Sequence, residues 1–180
     1  MRAIVCSNGF PKAGNHALVK ACELLGLPAE VNHIDYRQGL PRGVTHHIHI
    51  KRDPRNIVMS VVRAGGGPMT TGMFLSRFRR CNDDHLIEEM AGYEPWLKDR
   101  HTLTIAYEDL IASDAPMRRI AEFVGVPYLK GSWEELPGLT LTWNPEHSDY
   151  RQIWNSSIES AWREEGGNKL LDRWGYSWKS

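Results

Sequence analysis

The residues of this sequence whose types and spacing could do chemistry begin in a glycine-bearing stretch, SNGFPKAGNH, at positions 7–16. It lies between an apolar run, RAIVC, and a run typical of a helix, ALVKACELLG. A turn from a strand into a helix directs free backbone N–H groups and the positive end of the helix dipole toward one point, which suits an anion. Lys12 would add a mobile charge there, and Gly14 would let the backbone approach closely. Asn15 and His16 would add side-chain donors.

The spacing of this stretch differs from that of the ATP and GTP phosphate loop. That loop ends in Gly-Lys-Ser/Thr, whereas here Lys12 precedes Gly14 by two positions. The same residues also fit an ordinary glycine and proline turn that carries a solvated lysine. The stretch by itself leaves both interpretations open.

A second basic residue occupies an equivalent place in IHIKRDPRNIVMSVVR, positions 48–63. Arg52 follows a β-rich run and directly precedes Asp53-Pro54, a pair typical of a helix start. Its guanidinium offers a phosphate two coplanar donors. Ser60 lies eight positions on, about 12 Å along a helix, where an arginine that folds back could share one phosphate with it. Alternatively, Arg52 pairs with a carboxylate and Ser60 packs as a small core residue.

The elements that must position these stretches predict an α/β domain. Strands are expected at 3–6, 29–34, 44–50 and 101–107. Helices are expected at 14–25, from 53 onward, over most of 73–91, at 114–124, and in a last segment that carries Trp154, Ile158 and Trp162 at four-residue spacing. Their order predicts three layers around a mainly parallel sheet, and the length predicts a single domain over 1–180.

The composition narrows the classes of function. Lys and Arg number 22 against 22 Asp and Glu, so the bulk charge does not indicate binding to nucleic acid. The three scattered cysteines, Cys6, Cys22 and Cys81, form neither a disulfide framework nor a paired metal motif. They favour a reducing, cytoplasmic location. Because no run of 18 apolar residues occurs, no membrane span is expected.

Two phosphate-directed strand ends in one small domain indicate a ligand with phosphate at both ends. Three stretches then resemble the sulfotransferases that use 3′-phosphoadenosine 5′-phosphosulfate (PAPS). FPKAGNHAL resembles their 5′-phosphosulfate loop, which reads roughly Pro-Lys-Ser/Thr-Gly-Thr-Thr. IKRDPRNIVMSVVR resembles their 3′-phosphate motif, and IAYEDLIASDAPMRRIAEFVGV resembles their third recurrent stretch. The three occur in family order and cover positions 3–126, which implies a sulfotransferase fold like that of P-loop NTPases.

The resemblance implies a role for each matching residue. The residues of the 5′-phosphate site would be Lys12, Ala13, Gly14, Asn15 and His16. Lys12 would contact the bridging oxygen of the phosphosulfate, and PAP, the 3′,5′-bisphosphate, would be the product. Arg52 and Ser60 would bind the 3′-phosphate, and Tyr107 would lie near the adenine. The scheme requires no metal.

The sequence also departs from the family pattern. Asn15 and His16 replace two hydroxyl residues, and Ala17 replaces an aromatic residue. The late Arg-Lys-Gly loop of many relatives is missing, and TWNPEHSDYRQIW lies at a comparable position. Ser148 or Arg151 would substitute for that loop.

An acceptor hydroxyl needs a base, and histidine suits this role near neutral pH. His33 is the first candidate, because VNHIDYRQGLP loosely resembles the family's Lys-Thr-His-Leu-Pro segment. The alternative is a histidine at a strand end that is hydrogen-bonded to backbone. His47 and His49 share one face of a predicted strand with His46 opposite, so the three are interpreted as packing or solvent-facing residues rather than a metal site.

The acceptor and the oligomeric state stay open at this point. Residues 64–72 and the Trp-rich segment from Trp133 to Trp154, including Trp143, could cover the site. A carbohydrate, a phenol, a lipid headgroup and a peptide all fit as acceptors. Two other functions also remain: an ATP-dependent small-molecule kinase with an altered phosphate loop, and a catalytically silent nucleotide-binding protein.

Overall fold

The structure is a computed structural model that describes residues 3–139 and 149–177, without the side chains of 138 and 139. Within these ranges the chain divides into two compact units. The first contains the described residues up to Arg52 and those from Pro95 to 139, and the second contains Asp53–Glu94 and 149–177. The prediction of one domain over the whole chain stays a prediction.

The ten α-helices of the described residues follow in chain order. They are α1 (Asn15–Leu24), α2 (Pro54–Arg63), α3 (Thr71–Asp83), α4 (Leu86–Ala91), α5 (Glu94–Lys98), α6 (Tyr107–Ala112), α7 (Ala115–Val124), α8 (Leu136–Leu139), α9 (Ser156–Glu164) and α10 (Gly167–Trp174). Short 3-10 turns cover Tyr36–Gln38, Ser132–Glu135 and Tyr150–Gln152. None of the helices in the described ranges is long and apolar enough to cross a lipid bilayer.

The first unit is built on a parallel sheet, as the sequence predicts. Its strands are β1 (Val5–Gly9), β2 (Val31–Asn32), β3 (His46–Lys51) and β4 (Thr102–Ala106), in the order β2-β1-β3-β4. All pairings are parallel, with Asn8 opposite both Asn32 and His49. The carboxyl ends of all four strands therefore lie along one edge. The chain passes from β1 to β2 on one side of β1 and then from β2 to β3 on the other side, and such a switch point is where ligands bind in open α/β sheets.

The first strand differs from its predicted bounds for a physical reason. The sequence predicts a strand over 3–6, whereas β1 continues to Gly9 and all five of its residues are buried. Two polar residues enter the interior because the neighbouring segment satisfies them. The Ser7 hydroxyl donates to the Glu30 carbonyl at 2.5 Å, and the Asn8 amide donates to the Ile34 carbonyl at 2.9 Å.

The second unit is helical and has an aromatic core. Phe74, Phe78, Trp162 and Trp174 are nearly fully buried. The ring of Trp154 lies 5.8 Å from that of Trp162, which agrees with the predicted core stripe. The predicted helix over 73–91 is interrupted at His85, whose φ is 64°. The predicted last helix is the pair α9 and α10, and it begins at Ser156, so Trp154 precedes the helix instead of lying in it.

Asp53 and Pro54 start α2 as predicted. The Asp53 side chain accepts a hydrogen bond from the Arg55 backbone N–H and forms a buried ion pair with its guanidinium at 2.7 Å. This pairing fixes the N-terminus of the helix directly after Arg52.

The histidines of β3 occupy opposite faces of the sheet. The His46 ring packs against Phe123, whereas His47 packs against Trp96 at 4.3 Å between ring centroids. Burial, opposed by the charge of Asp99, lowers the pKa of His47 to about 4. Burial, together with His47 and Lys51, lowers the pKa of His49 to about 3. Both rings are therefore neutral in the folded protein at neutral pH.

These buried histidines make stability depend on acid. As the pH falls below 6.5, the ordinary histidine pKa, the unfolded chain takes up protons that the fold does not, so the free energy of unfolding declines until about pH 4 for His47 and about pH 3 for His49. We expect His49→Phe to make this decline shallower by about 1.4 kcal/mol per pH unit. Urea unfolding at several pH values, referred to pH 8, measures the slope. If His49→Phe showed the same dependence of unfolding free energy on pH as the wild-type protein, the lowered pKa of His49 would be contradicted.

Candidate functional site

The turn between β1 and α1 is a tight loop whose geometry is fixed by the Phe10 carbonyl. That carbonyl accepts hydrogen bonds from the Ala13 backbone N–H at 3.0 Å and from the Asn15 side-chain amide at 2.8 Å. Lys12 and Gly14 adopt positive φ values, 70° and 105°. The loop therefore turns sharply with Lys12 exposed and Ala13 buried.

The N-terminus of α1 is open toward this loop. Its N-cap residue is Gly14, which has no side chain that could cap the helix. The first N–H groups of a helix lack partners within the helix and carry the positive end of its dipole. His16 is exposed in the first turn. An anion placed there would meet backbone donors, with the Lys12 side chain in the same loop.

The side chain of Asn15 has a different task from the one expected of it. Its Nδ2 donates to the Phe10 carbonyl, and its buried Oδ1 has no hydrogen-bond partner among the described residues. An amide oxygen cannot donate to a phosphate. In this conformation Asn15 holds the loop closed and offers an anion its backbone N–H.

Arg52 lies at the end of β3, beside the same loop. Its Nη1 donates to the Lys12 carbonyl at 3.3 Å, and its Cζ lies 4.4 Å from the centroid of the Tyr107 ring. Arg52 is 6% exposed. Two cationic side chains, those of Lys12 and Arg52, thus belong to loops that follow adjacent strands. This is the crevice that the order of the strands singles out.

Tyr107 begins α6 directly after β4, and its ring packs against the loop at Gly14. A Cβ built on Gly14 would lie 3.0 Å from Cε2 of Tyr107 and closer still to its Cδ2. Burial is the main cause that raises the pKa of the Tyr107 hydroxyl, against the lowering charge of Arg52. The loop, Arg52 and Tyr107 therefore form one packed cluster.

This packing predicts the effect of a side chain at position 14. We expect Gly14→Ala to lower the free energy of unfolding by about 2–4 kcal/mol, because left-handed strain adds to overlap with the Tyr107 ring. Gly26→Ala is the matched control, since Gly26 has φ 72° but nothing within 4 Å of its built Cβ. It should cost about 1–2 kcal/mol. Equal losses for the two variants in urea unfolding would show that the Tyr107 contact is unimportant.

His33 follows β2 and lies against the start of the loop. Its Nδ1 is 2.8 Å from the Gly9 carbonyl, and its side chain is exposed. Because a carbonyl only accepts, Nδ1 must carry the proton of this hydrogen bond. In the neutral ring the lone pair is then on Nε2, which is the state that a general base requires. The backbone contact expected under the alternative interpretation is thus present, and it leaves the basic nitrogen available.

The remaining predicted residues belong to the second unit, to other parts of the first unit, or to segments outside the described residues. Ser60 is half-buried in α2 of the second unit. Arg151, in the same unit, lies 3.6 Å from the Asp149 carboxylate. Ser148 and Trp143 are outside the described residues. Trp133 donates to the Leu110 carbonyl at 2.8 Å, a contact that fixes its ring within the first unit.

The structure adds two residues that sequence reasoning missed. Asn8 and Trp96 both hydrogen-bond to Ile34, the residue after His33. The signal for Asn8 was a polar residue within an apolar strand, which was interpreted as the start of a loop. In the described ranges no group of three or more His, Cys, Asp or Glu side chains is placed to hold a metal ion.

The fold is sulfotransferase-like, with a central four-strand parallel sheet flanked by helices. Among solved structures, the chain is similar to the crystal structure of mouse sulfotransferase SULT7A1 complexed with PAP. The TM-score is 0.65 at 16% sequence identity, and the match covers 96% of this chain and 85% of that chain. A scan against models of protein families and a search of curated proteins each find no match.

Proposed function

We propose that this protein transfers a sulfuryl group from PAPS to a hydroxyl or amine of an acceptor. The observation that carries the proposal is the position of Lys12, Arg52 and Tyr107 around the open N-terminus of α1, at the switch point of the sheet. The PAP-bound neighbour of the same fold supports the choice of nucleotide.

The residues at the start of α1 fit the phosphosulfate end of this substrate. Backbone N–H groups of Gly14, Asn15 and His16 would bind the 5′-phosphate at the positive helix end. Lys12, exposed in the loop, would contact the bridging oxygen. A cation at that oxygen stabilises the charge that develops as the sulfur–oxygen bond breaks.

Arg52 and Tyr107 fit the nucleotide end. The Arg52 guanidinium, which donates to the Lys12 carbonyl at 3.3 Å, would form charge-assisted hydrogen bonds to the 3′-phosphate. The buried Tyr107 ring would lie beside the adenine. The motif assigns Ser60 to the same phosphate, and Ser60→Ala tests that assignment separately.

The proposed reaction is an in-line transfer between two oxygens, or to a nitrogen. The bond from sulfur to the bridging oxygen breaks, a bond from sulfur to the acceptor forms, and PAP leaves with the electron pair. His33 would take the acceptor proton on Nε2, while its Nδ1–H remains on the Gly9 carbonyl. Catalysis then consists of positioning and charge stabilisation, as in phosphoryl transfer.

Transfer of radiolabelled sulfate from PAPS tests this function. The wild-type protein is incubated with PAPS and a panel of sugars, phenols, lipid headgroups and peptides, and labelled products are separated. Transfer to at least one acceptor, with release of PAP in equal amount, is expected. Binding of PAP without transfer to any acceptor class would instead favour a silent nucleotide-binding protein.

A further inference from the structure

The backbone of Ile34 is held by the side chain of a residue in the neighbouring strand. The Asn8 Oδ1 accepts from the Ile34 N–H at 2.8 Å, and the Asn8 Nδ2 donates to the Ile34 carbonyl at 2.9 Å. Asn8 is fully buried in β1. One carboxamide thus satisfies the donor and the acceptor of a single residue, as a backbone strand partner would.

This clamp begins where the regular ladder ends. The β1–β2 pairing comprises Ser7 with Val31 and Asn8 with Asn32, and β2 stops there. Two residues of ladder are short even for an edge strand. The Asn8 side chain extends the attachment two residues further, so the segment after β2 stays against β1.

A third hydrogen bond and a capped turn also hold this segment. The Trp96 indole N–H also donates to the Ile34 carbonyl, at 2.9 Å. Next along the chain, the Asp35 carboxylate accepts from the Arg37 N–H, and the Asp35 N–H donates to Gln38 in return. Ile34 is therefore immobilised by three hydrogen bonds and is followed by a closed turn.

His33 lies between the end of the β1–β2 ladder at Asn32 and the anchored Ile34. Its own ring is hydrogen-bonded to the carbonyl of Gly9, the residue after Asn8. Both the main chain beside the ring and the ring itself are thus fixed by adjacent residues of β1. This arrangement keeps the imidazole proton on Nδ1 and fixes the position of Nε2, the nitrogen that can accept a proton.

We propose that Asn8 is a positioning residue for His33, with Trp96 in support. The inference rests on the proposed function, in which His33 is the base. Loss of the clamp frees the segment after β2, weakens the Nδ1–H bond to Gly9, and lets the neutral imidazole populate both tautomers. A displacement of about 1 Å in a catalytic group can cost about 100-fold in rate.

The test compares Asn8→Ala with the wild-type protein in three measurements. Nitrogen NMR of labelled histidines, with the His33 signal assigned by His33→Gln, is expected to show a proton on Nδ1 in the wild type and a mixture of tautomers in the variant. Sulfate transfer should lose about 10- to 100-fold in kcat. The acceptor KM should change less than about threefold, because no acceptor contact is removed.

PAP binding separates the inference from the function on which it rests. Lys12 and Arg52 are retained, so calorimetry should give the same affinity for PAP in both proteins, which also shows that the variant is folded. Asn8→Asp is a second, isosteric variant that keeps one acceptor and loses the donor to Ile34, and it should also yield mixed tautomers. If the wild-type protein transfers no sulfate, the proposed function fails, while NMR still decides whether Asn8 fixes His33.

Ser7→Ala is the matched control. Ser7 is buried in the same strand and donates one hydrogen bond to the Glu30 carbonyl, before β2 rather than after it. It should leave the His33 tautomer and kcat unchanged. An Nδ1–H tautomer and a wild-type kcat in Asn8→Ala would overturn the proposal, as would equal losses in Ser7→Ala.

Discussion

Replacing Lys12 with alanine is expected to lower kcat for sulfate transfer by about 100- to 1,000-fold. Removing one group that stabilises developing charge in a preorganised site costs about 2.7–4 kcal/mol. Lys12 is exposed, so little packing is lost with its side chain. Steady-state kinetics with PAPS and any accepted acceptor measures the effect.

Two variants isolate the charge of Lys12 from its backbone. Lys20→Ala removes a half-buried lysine of α1 that pairs with Glu23, and its kcat should remain within about twofold of wild type. Lys12→Gly removes the charge and also relieves the left-handed strain at φ 70°. Lys12→Gly should be as inactive as Lys12→Ala, but its unfolding temperature should be no lower than that of the wild-type protein. A Lys12→Ala enzyme that retains more than a third of kcat would refute the role of this lysine.

Replacing Arg52 with alanine is expected to weaken PAP binding by about 30- to 300-fold. Truncating a buried charged group that would pair with a phosphate costs about 2–3.5 kcal/mol. Stability should fall as well, because the guanidinium packs over Tyr107 and donates to the Lys12 carbonyl. Affinity is therefore measured by calorimetry at a temperature where the variant is folded.

Arg119→Ala is the matched control for Arg52. Arg119 belongs to the same unit and also donates to a backbone carbonyl, that of Thr104 at 3.2 Å, but from α7. Its loss should leave the affinity for PAP unchanged. Arg52→Lys should be intermediate, since it keeps the charge without the planar pair of donors. Equal affinities for Arg52→Ala and wild type would exclude this arginine from the site.

Which residues lie near one another in the candidate site was largely predictable, because each of them follows a strand of the same parallel sheet. Lys12, His33, Arg52 and Tyr107 each follow a different strand. In a parallel sheet the carboxyl ends share one edge, so recognising the four strands places all four residues there. Small errors in the strand bounds do not alter this result.

The features of the site that the sequence did not predict depend on which of several possible hydrogen bonds a polar side chain forms in the folded protein. Asn15 could donate to a ligand or to its own loop, and only the folded loop places the Phe10 carbonyl 2.8 Å away. The predicted strand ends at Cys6 and leaves Asn8 in the turn, whereas Asn8 is buried in β1, where its side chain needs both a donor and an acceptor. Both come from Ile34, 26 positions later. The interruption of the predicted helix 73–91 at His85 was also not predictable. It results from a left-handed backbone conformation at His85, which the residue type does not indicate.

Thermal unfolding with adenosine 3′,5′-bisphosphate or with magnesium and ATP tests the central claim most directly. That claim is a two-phosphate site between the loops that follow β1 and β3. A ligand at 100 times its Kd adds about 2.7 kcal/mol, or about 5–10 °C for a chain of this size. We expect the bisphosphate alone to give this shift, and Arg52→Ala to lose most of it. A larger shift with magnesium and ATP would contradict the account.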